Sequence, residues 1–383
     1  MAQQLTRALT AVLALAAGLS VANIYYNQPM LGLMVGDFGG DGHVRLVPAA
    51  TQLGYALGLL LLVPLGDSLD RRRLIIGQTV VLIAAAAAAA VAPSVTILLL
   101  ASLAIGAMAT IAQQIIPLAA EMAPAESRGR VVGTVMSGLL AGILLARTVS
   151  GAIGAYFEWR AMFAIGAVIA GLMGIMLFVA LPRRPPEQRH GYLSLLLSLG
   201  NLARSLPALR RAMMIQGAMF ACFSIFWTTL ALLLQEPPFR MGSDVAGLFG
   251  IIGLVGVIMA PVAGRLSDKR GPHGIIGIGI ALVLASFLIF ALFPTLTGLT
   301  LGVVLLDTGV QMSMIANQSI IFGLVPSARN RINTIYMTGM FLAGAAGSAA
   351  AGIAWIDLGW PGVCGLGAVV GVAGLAVHLK KIK

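Results

Sequence analysis

Twelve apolar stretches, each long enough to cross a lipid bilayer, leave this chain few ways to fold. In hydrocarbon only helices and closed barrels satisfy every backbone group, and runs of about 20 apolar residues specify helices. Their limits read as 8–35, 47–66, 74–92, 95–120, 132–155, 161–182, 212–235, 245–264, 274–294, 297–324, 332–356 and 361–379. Charged residues make up 10% of the 383, and mean hydropathy is +0.98. A soluble chain would carry about 25% charged residues. The shortfall excludes a disordered chain, a secreted disulfide scaffold and an ordinary cytosolic enzyme. Both cysteines, Cys222 and Cys364, lie in apolar runs. The predicted fold class is an all-α membrane protein.

The breaks at Pro93-Ser94 and Phe293-Pro294-Thr295 hold no charge, but they occupy corresponding places in the two halves. The basic residues test the division. With the N-terminus in the cytoplasm, 20 of the 24 fall on that side. Three (Arg45, Arg160, Arg240) lie outside, and Arg147 lies within a span. That asymmetry is the positive-inside pattern, and shifting by one span would invert it. The formal charge of +11 therefore reads as topology, with no nucleic-acid partner. Arg7, an apolar run and Ser20-Val21-Ala22 also fit a cleavable leader. Cleavage there would remove half of the first span and leave unequal halves, so the run is read as a span.

The two halves repeat one another. Gly66-Asp67-Ser68-Leu69-Asp70-Arg71-Arg72 aligns with Gly264-Arg265-Leu266-Ser267-Asp268-Lys269-Arg270 at an offset of 198. At an offset of 201, Arg128-Gly129-Arg130 and Met136-Ser137-Gly138 meet Arg329-Asn330-Arg331 and Met337-Thr338-Gly339. Gly151 then meets Gly352, and Trp159 meets Trp360. Ile111-Ala112-Gln113-Gln114 likewise resembles Ile315-Ala316-Asn317-Gln318. Such a parallel repeat predicts two pseudo-symmetric six-helix bundles, 1–182 and 212–383, with a solute site near mid-membrane between them. The joining loop, 183–211, carries Ser194, Ser198, Asn201 and Ser205 at helical spacing opposite a leucine-rich face. It reads either as an amphipathic helix on the inner membrane surface or as a plain linker.

Residues Gly66 to Arg73 resemble the loop after the second span of the major facilitator superfamily, Gly-x-x-x-Asp-Arg-x-Gly-Arg. Gly66, Asp70 and Arg71 match, while Arg73 stands where the inner glycine is usual. Gly264, Asp268, Lys269 and Arg270 form a second copy. The resemblance covers the whole chain and implies a secondary transporter whose loops latch the cytoplasmic side. Without it, the same basic residues simply set topology. The run Asn23-Ile24-Tyr25-Tyr26-Asn27-Gln28-Pro29 is similar to the first span of bacterial drug and sugar efflux members. The fifth span, Gly142 to Gly151, resembles the antiporter motif Gly-x-x-x-Gly-Pro-x-x-Gly-Gly, with Ala146 and Ser150 small and Arg147 replacing proline.

Arg147 and Asp307 are the only ionisable Asp, Glu, Lys, Arg or His well inside the spans. Intramembrane charges are costly and point to function. Arg147 lies about 9 residues, or roughly 13 Å, from the outer end of its span, and Asp307 about 10 residues, or roughly 15 Å. At similar depth, the pair is a candidate for proton coupling: an aspartate takes up a proton, whereas an arginine stays charged. The alternative is a structural role for each. Polar candidates for a solute cavity are Asn23, Tyr26 and Asn27 in the first span and Gln113 and Gln114 in the fourth. Trp227 and Thr228 in the seventh and Gln311, Asn317 and Gln318 in the tenth complete the set. The superfamily lines its cavity with these four spans. Each amide alone also fits interhelical hydrogen bonding.

No His-Glu-x-x-His, Cys-x-x-Cys or phosphate loop is present. The reading excludes an enzyme, a cofactor, a metal and ATP drive. It predicts a monomeric transporter of the bacterial inner membrane, both termini cytoplasmic, exporting a small organic molecule in exchange for protons among membrane lipids. A uniporter or proton symporter is the alternative, and a receptor or channel a more remote one.

Overall fold

The computed structural model describes residues 6–124, 126–182, 191–325 and 328–380, and every regular element among them is helical. Among the described residues, eleven helical runs are long and apolar enough to cross a membrane. The first six are Arg7–Asp37, Gly42–Gly66, Arg71–Ala90, Val95–Met122, Arg128–Tyr156 and Trp159–Ala180. Pro207–Gln235, Ser243–Ser267, Pro272–Leu292, Leu296–Leu324 and Arg329–Leu379 follow. The last contains two spans. Gly359 interrupts it at φ 60° and ψ −152°, a conformation that a Cβ makes costly, just before Pro361. Twelve spans result.

Contacts gather the chain into two compact units, Met1–Leu196 and Leu197–Lys383. The division falls inside a helix, Tyr192–Ser205. Its leucines split between two environments: Leu199 is buried, whereas Leu193 and Leu197 are exposed. Tyr192 donates from its hydroxyl to the carbonyl of Leu61 (2.8 Å). Residues 183–190 of the expected loop lie outside the described residues.

The uncharged breaks are real helix starts. Ser94 accepts from the N–H of Ile97 (3.4 Å), and Thr295 accepts from that of Gly298 (3.2 Å). Such N-caps satisfy a donor that the first turn leaves open. Lipid-facing surface is equally legible. In the sixth span Val168, Leu172, Ile175 and Val179 stand exposed at helical spacing, while Gly166, Ala170, Met173 and Leu177 are buried.

Three spans that the sequence reads as continuous are broken. The first splits into Arg7–Ala22 and Asn27–Asp37, the fourth into Val95–Met108 and Ile111–Met122, and the eighth into Ser243–Ile252 and Leu254–Arg270. At the first break Asn23 donates to the carbonyls of Leu19 (2.8 Å) and Ser20 (3.3 Å). At the second the Thr110 hydroxyl donates to Ala107 (2.6 Å). Local side-chain bonds to carbonyls compete with the helical ladder, and hydropathy does not register them. The second span is also helical only from Val47 to Leu61, before a 3₁₀ turn at Pro64–Asp67.

Both units hold helices at close backbone approach, and the second adds stacked rings. In the first, backbones touch: a Cβ on Gly18 would stand 2.4 Å from the carbonyl oxygen of Gly138, and one on Gly142 2.2 Å from that of Gly18. Small residues at such crossings let transmembrane helices approach closely. In the second unit Gly309 and Gly279 meet in the same way, a Cβ on Gly309 standing 2.5 Å from the Gly279 carbonyl oxygen, and rings pack beside them. Phe226 stacks on Phe290 at 4.4 Å between centroids, and Trp360 donates to the Phe290 carbonyl (2.9 Å).

Candidate functional site

The breaks in the first unit lie beside its buried polar groups. Ser20 donates to the carbonyl of Ala109 (2.9 Å), joining the interruptions of the first and fourth spans. Asn27 donates to the Thr51 hydroxyl (2.9 Å). Arg147, from the fifth span, donates through Nε to Gln28 Oε1 (2.8 Å) and lies 4.5 Å over the ring of Tyr25. Cation–π contact and a charge-assisted hydrogen bond together hold a buried guanidinium. The small residues around Arg147 in sequence explain its depth, because Gly142 seats the fifth span directly on the first.

The candidates in this unit do not share one place. Asn23 and Tyr26 face Gly166 of the sixth span, where a Cβ would meet Tyr26 at 3.4 Å and Asn23 at 3.7 Å. Gln113 donates to the Tyr55 hydroxyl (3.1 Å). Gln114 instead donates to the carbonyls of Leu62 (2.8 Å) and Val63 (3.3 Å), where the second span unwinds. It belongs with the loop.

That loop is tied to the fourth span through Arg71 and Gln114 and to the sixth through Arg72. Arg71 pairs with Glu121 (2.7 Å) and donates to the Gly66 carbonyl (3.2 Å). Asp70 caps the third span by accepting from the N–H of Arg73 (3.1 Å). Gly66 lies close against Gln114, since a Cβ there would stand 2.3 Å from Gln114 Oε1 and the amide would have to shift. Arg73 is exposed, while Arg72 donates to the Phe178 carbonyl (2.6 Å). The second copy has no such turn. Gly264, Asp268, Lys269 and Arg270 all lie within the helix Leu254–Arg270; the side chains of Asp268 and Arg270 lie outside the described residues.

In the second unit the buried acid sits at a break. Asp307 is 8% exposed and accepts from Trp227 Nε1 through Oδ1 (3.3 Å). Its Oδ2 faces Gly253, where a Cβ would approach to 2.5 Å, at the interruption of the eighth span. Trp227, Asp307 and that break thus join the seventh, tenth and eighth spans. Thr228 bonds Ser348 of the eleventh span (2.7 Å). Asn317 donates to the carbonyl of Ser313 (3.0 Å), and Gln311 and Gln318 are half-buried.

Several polar groups in these places escaped the sequence reading. Gln28 and Tyr25 hold Arg147, Gln78 donates to Thr110 (3.2 Å), and Gln216 donates to the Val310 carbonyl (3.4 Å). Gln28 and Tyr25 belong to a recognised run, and their spacing from Asn27 is the available signal. Among the described residues no group of three or more His, Cys, Asp or Glu could hold a metal.

Known proteins match the whole arrangement. The sequence pattern of the Major Facilitator Superfamily matches residues 13–348. An uncharacterized transporter of Escherichia coli O157:H7 is 40% identical over 376 residues, covering 98% of this chain and 95% of its own. A probable transporter of Streptomyces coelicolor is 37% identical over 92% of this chain and 83% of its own. More distantly, a probable sugar efflux transporter of Helicobacter pylori is 24% identical over 76% of this chain and 74% of its own. The crystal structure of the nucleoside transporter NupG superposes with a TM-score of 0.77 at 14% identity, covering 97% of this chain and 98% of that one. With twelve spans, paired loop motifs and full-length relatives in agreement, this chain belongs to the Major Facilitator Superfamily and is a multi-pass membrane transporter, not an enzyme.

Proposed function

We propose that the protein is a monomeric, proton-coupled exporter of a small organic solute in the bacterial inner membrane, with both termini cytoplasmic. Its bundles, 1–182 and 212–383, alternate access about the loop 183–211. The observation that carries the reading is the environment of Asp307. It is buried, accepts a hydrogen bond from Trp227 of the seventh span and is set against the interruption of the eighth. A carboxylate in that setting gains or loses a proton at the cost or benefit of desolvation and hydrogen bonding. Either change alters what holds the three helices together. Arg147 has its own partners in Gln28 and Tyr25. Its assigned role is to hold the break of the first span, and Asp307 alone serves as the proton site. Efflux is supported by the first-span run 23–29 and by the likeness to the H. pylori sugar efflux relative.

The test uses proteoliposomes with an imposed pH gradient and a panel of small sugars and drugs. Wild-type protein drives solute against its gradient and moves protons the other way. Asp307→Asn keeps the Trp227 hydrogen bond, binds solute and exchanges it, and no longer accumulates it. Solute and protons moving in the same direction would establish a symporter, and transport indifferent to the pH gradient a uniporter.

A further inference from the structure

A second, unassigned site lies at one membrane face of the second unit, where the seventh, ninth and twelfth spans end. Arg211, at the start of the seventh span, donates to the carbonyls of Val377 (Nε, 3.4 Å) and His378 (Nη2) at the end of the twelfth. Its Nη1 lies 3.5 Å from Nε2 of His273, in the first turn of the ninth. A guanidinium carries five N–H donors in a planar fork, more than these three contacts use. The Nδ1 atom of His378 is buried and has no hydrogen-bond partner among the described residues. Lys380, two residues further on, is exposed. Arg210 turns away, donating to the carbonyls of Ala203 and Arg204.

Next to this basic cluster, deeper along the seventh and twelfth spans and closed by the eleventh, is an apolar slot of about 370 Å³. Met213, Gly217, Gly339, Ala343, Ala373 and Gly374 line it, and it reaches Val377, whose carbonyl Arg211 holds. The glycines leave it open, while Met214, 51% exposed, marks its edge on the outer surface of the bundle. A cationic, hydrogen-bond-donating mouth joined to an apolar slot in the side of a membrane helix bundle has one complementary chemistry. The occupant carries an anionic phosphate at membrane-surface height and a hydrocarbon chain below it.

We infer that this site binds an anionic phospholipid, with its phosphate against Arg211, His273 and His378 and an acyl chain in the slot. The chemistry belongs to the second unit alone and does not depend on the direction or coupling of transport. The test titrates the purified full-length protein with phosphatidylglycerol, phosphatidylcholine or inorganic phosphate, reading lipid adducts by native mass spectrometry and the thermal midpoint. Phosphatidylglycerol binds at least about tenfold more tightly than phosphatidylcholine, the worth of one charge-assisted contact. Arg211→Gln and His273→Gln each lose most of that preference. Ala373→Trp, placed on an exposed position, fills the slot and weakens both lipids. His273→Gln and Ala373→Trp leave the helix-end bonds of Arg211 intact, so they report on the site even where Arg211→Gln fails to fold. Equal binding of the two lipids, or an unchanged preference in His273→Gln together with undiminished binding in Ala373→Trp, would overturn the assignment. Inorganic phosphate matching phosphatidylglycerol would assign the mouth to a soluble anion and remove the lipid.

Discussion

Residues 66–72 and 264–270 align at an offset of 198, yet the first copy makes a 3₁₀ turn and a capped helix start, whereas the second lies inside a helix. Their partners account for the difference. A proline precedes both copies, Pro64 in the first and Pro261 in the second, so proline alone does not set the difference. In the first copy Gln114 occupies the carbonyls freed by unwinding, and Glu121 fixes Arg71. On the Gln-repeat offset of 204, Glu121 corresponds to Val325, which offers no charge. A motif therefore folds as its neighbours permit, and the first copy fastens the second and fourth spans through Gln114 and the Arg71–Glu121 pair.

The same contrast recurs between the fifth–sixth and eleventh–twelfth connections, and it sets the largest expected effect. Glu158 and Gly359 correspond at the offset of 201, but Glu158 is extended at φ 169° while Gly359 is at φ 60°. Gly359→Ala should destabilise the protein by about 1–3 kcal/mol, the usual cost of such backbone strain, with Glu158→Ala within about 0.5 kcal/mol of wild type. Thermal unfolding of the two purified variants checks this. Equal midpoints would mean that the break between the last two spans does not depend on the glycine.

Next in size is the glycine that opens each loop copy. Gly66→Ala pushes on Gln114 Oε1, so the amide must leave the Leu62 and Val63 carbonyls, at about 1–2 kcal/mol. A Cβ on Gly264 would meet nothing within 4 Å, and the residue lies mid-helix. Gly264→Ala should be neutral or stabilising by up to about 1 kcal/mol. Transport should fall in the first variant and persist in the second. If both lose activity alike, the copies act as one latch and the structural contrast has no functional weight. Glu121→Gln is expected to matter less. Its carboxylate is largely exposed, and such pairs contribute about 1 kcal/mol or less. Transport in Glu121→Gln should fall less than in Gly66→Ala, and a larger loss would make the ion pair the main fastening.

How much of this is readable without a structure follows from what hydropathy measures. It registers apolar length, so the twelve spans, the paired motifs and the isolation of Arg147 and Asp307 are all legible. It is blind to backbone hydrogen-bond competition, which is why the breaks at 23–26, 109–110 and Gly253 are missed. It is also blind to side-chain direction. Gln113 and Gln114 are adjacent, yet one reaches Tyr55 and the other the loop carbonyls. Within its own unit Arg147 meets Gln28, and Asp307 meets Trp227, and neither partner is implied by depth along a span. Partner choice depends on rotation about each helix axis, which a single sequence does not fix.

The smallest expected effect is where the halves agree. Ser94 and Thr295, also 201 apart, each cap the helix that follows an uncharged break. Replacing either by Ala removes one acceptor for a first-turn N–H, a loss of about 1 kcal/mol or less where water can substitute. Ser94 lies in an exposed turn and Thr295 is exposed, so water is at hand for both. The Ser94 bond is the longer, so Ser94→Ala should cost slightly less than Thr295→Ala, and neither should alter transport. The thermal midpoints of the two variants and of the double variant provide the measurement. Additive, small shifts would show that these caps act locally and independently. A double variant much worse than the sum would mean that the two breaks are coupled, and that the likeness of the halves here reaches beyond local capping.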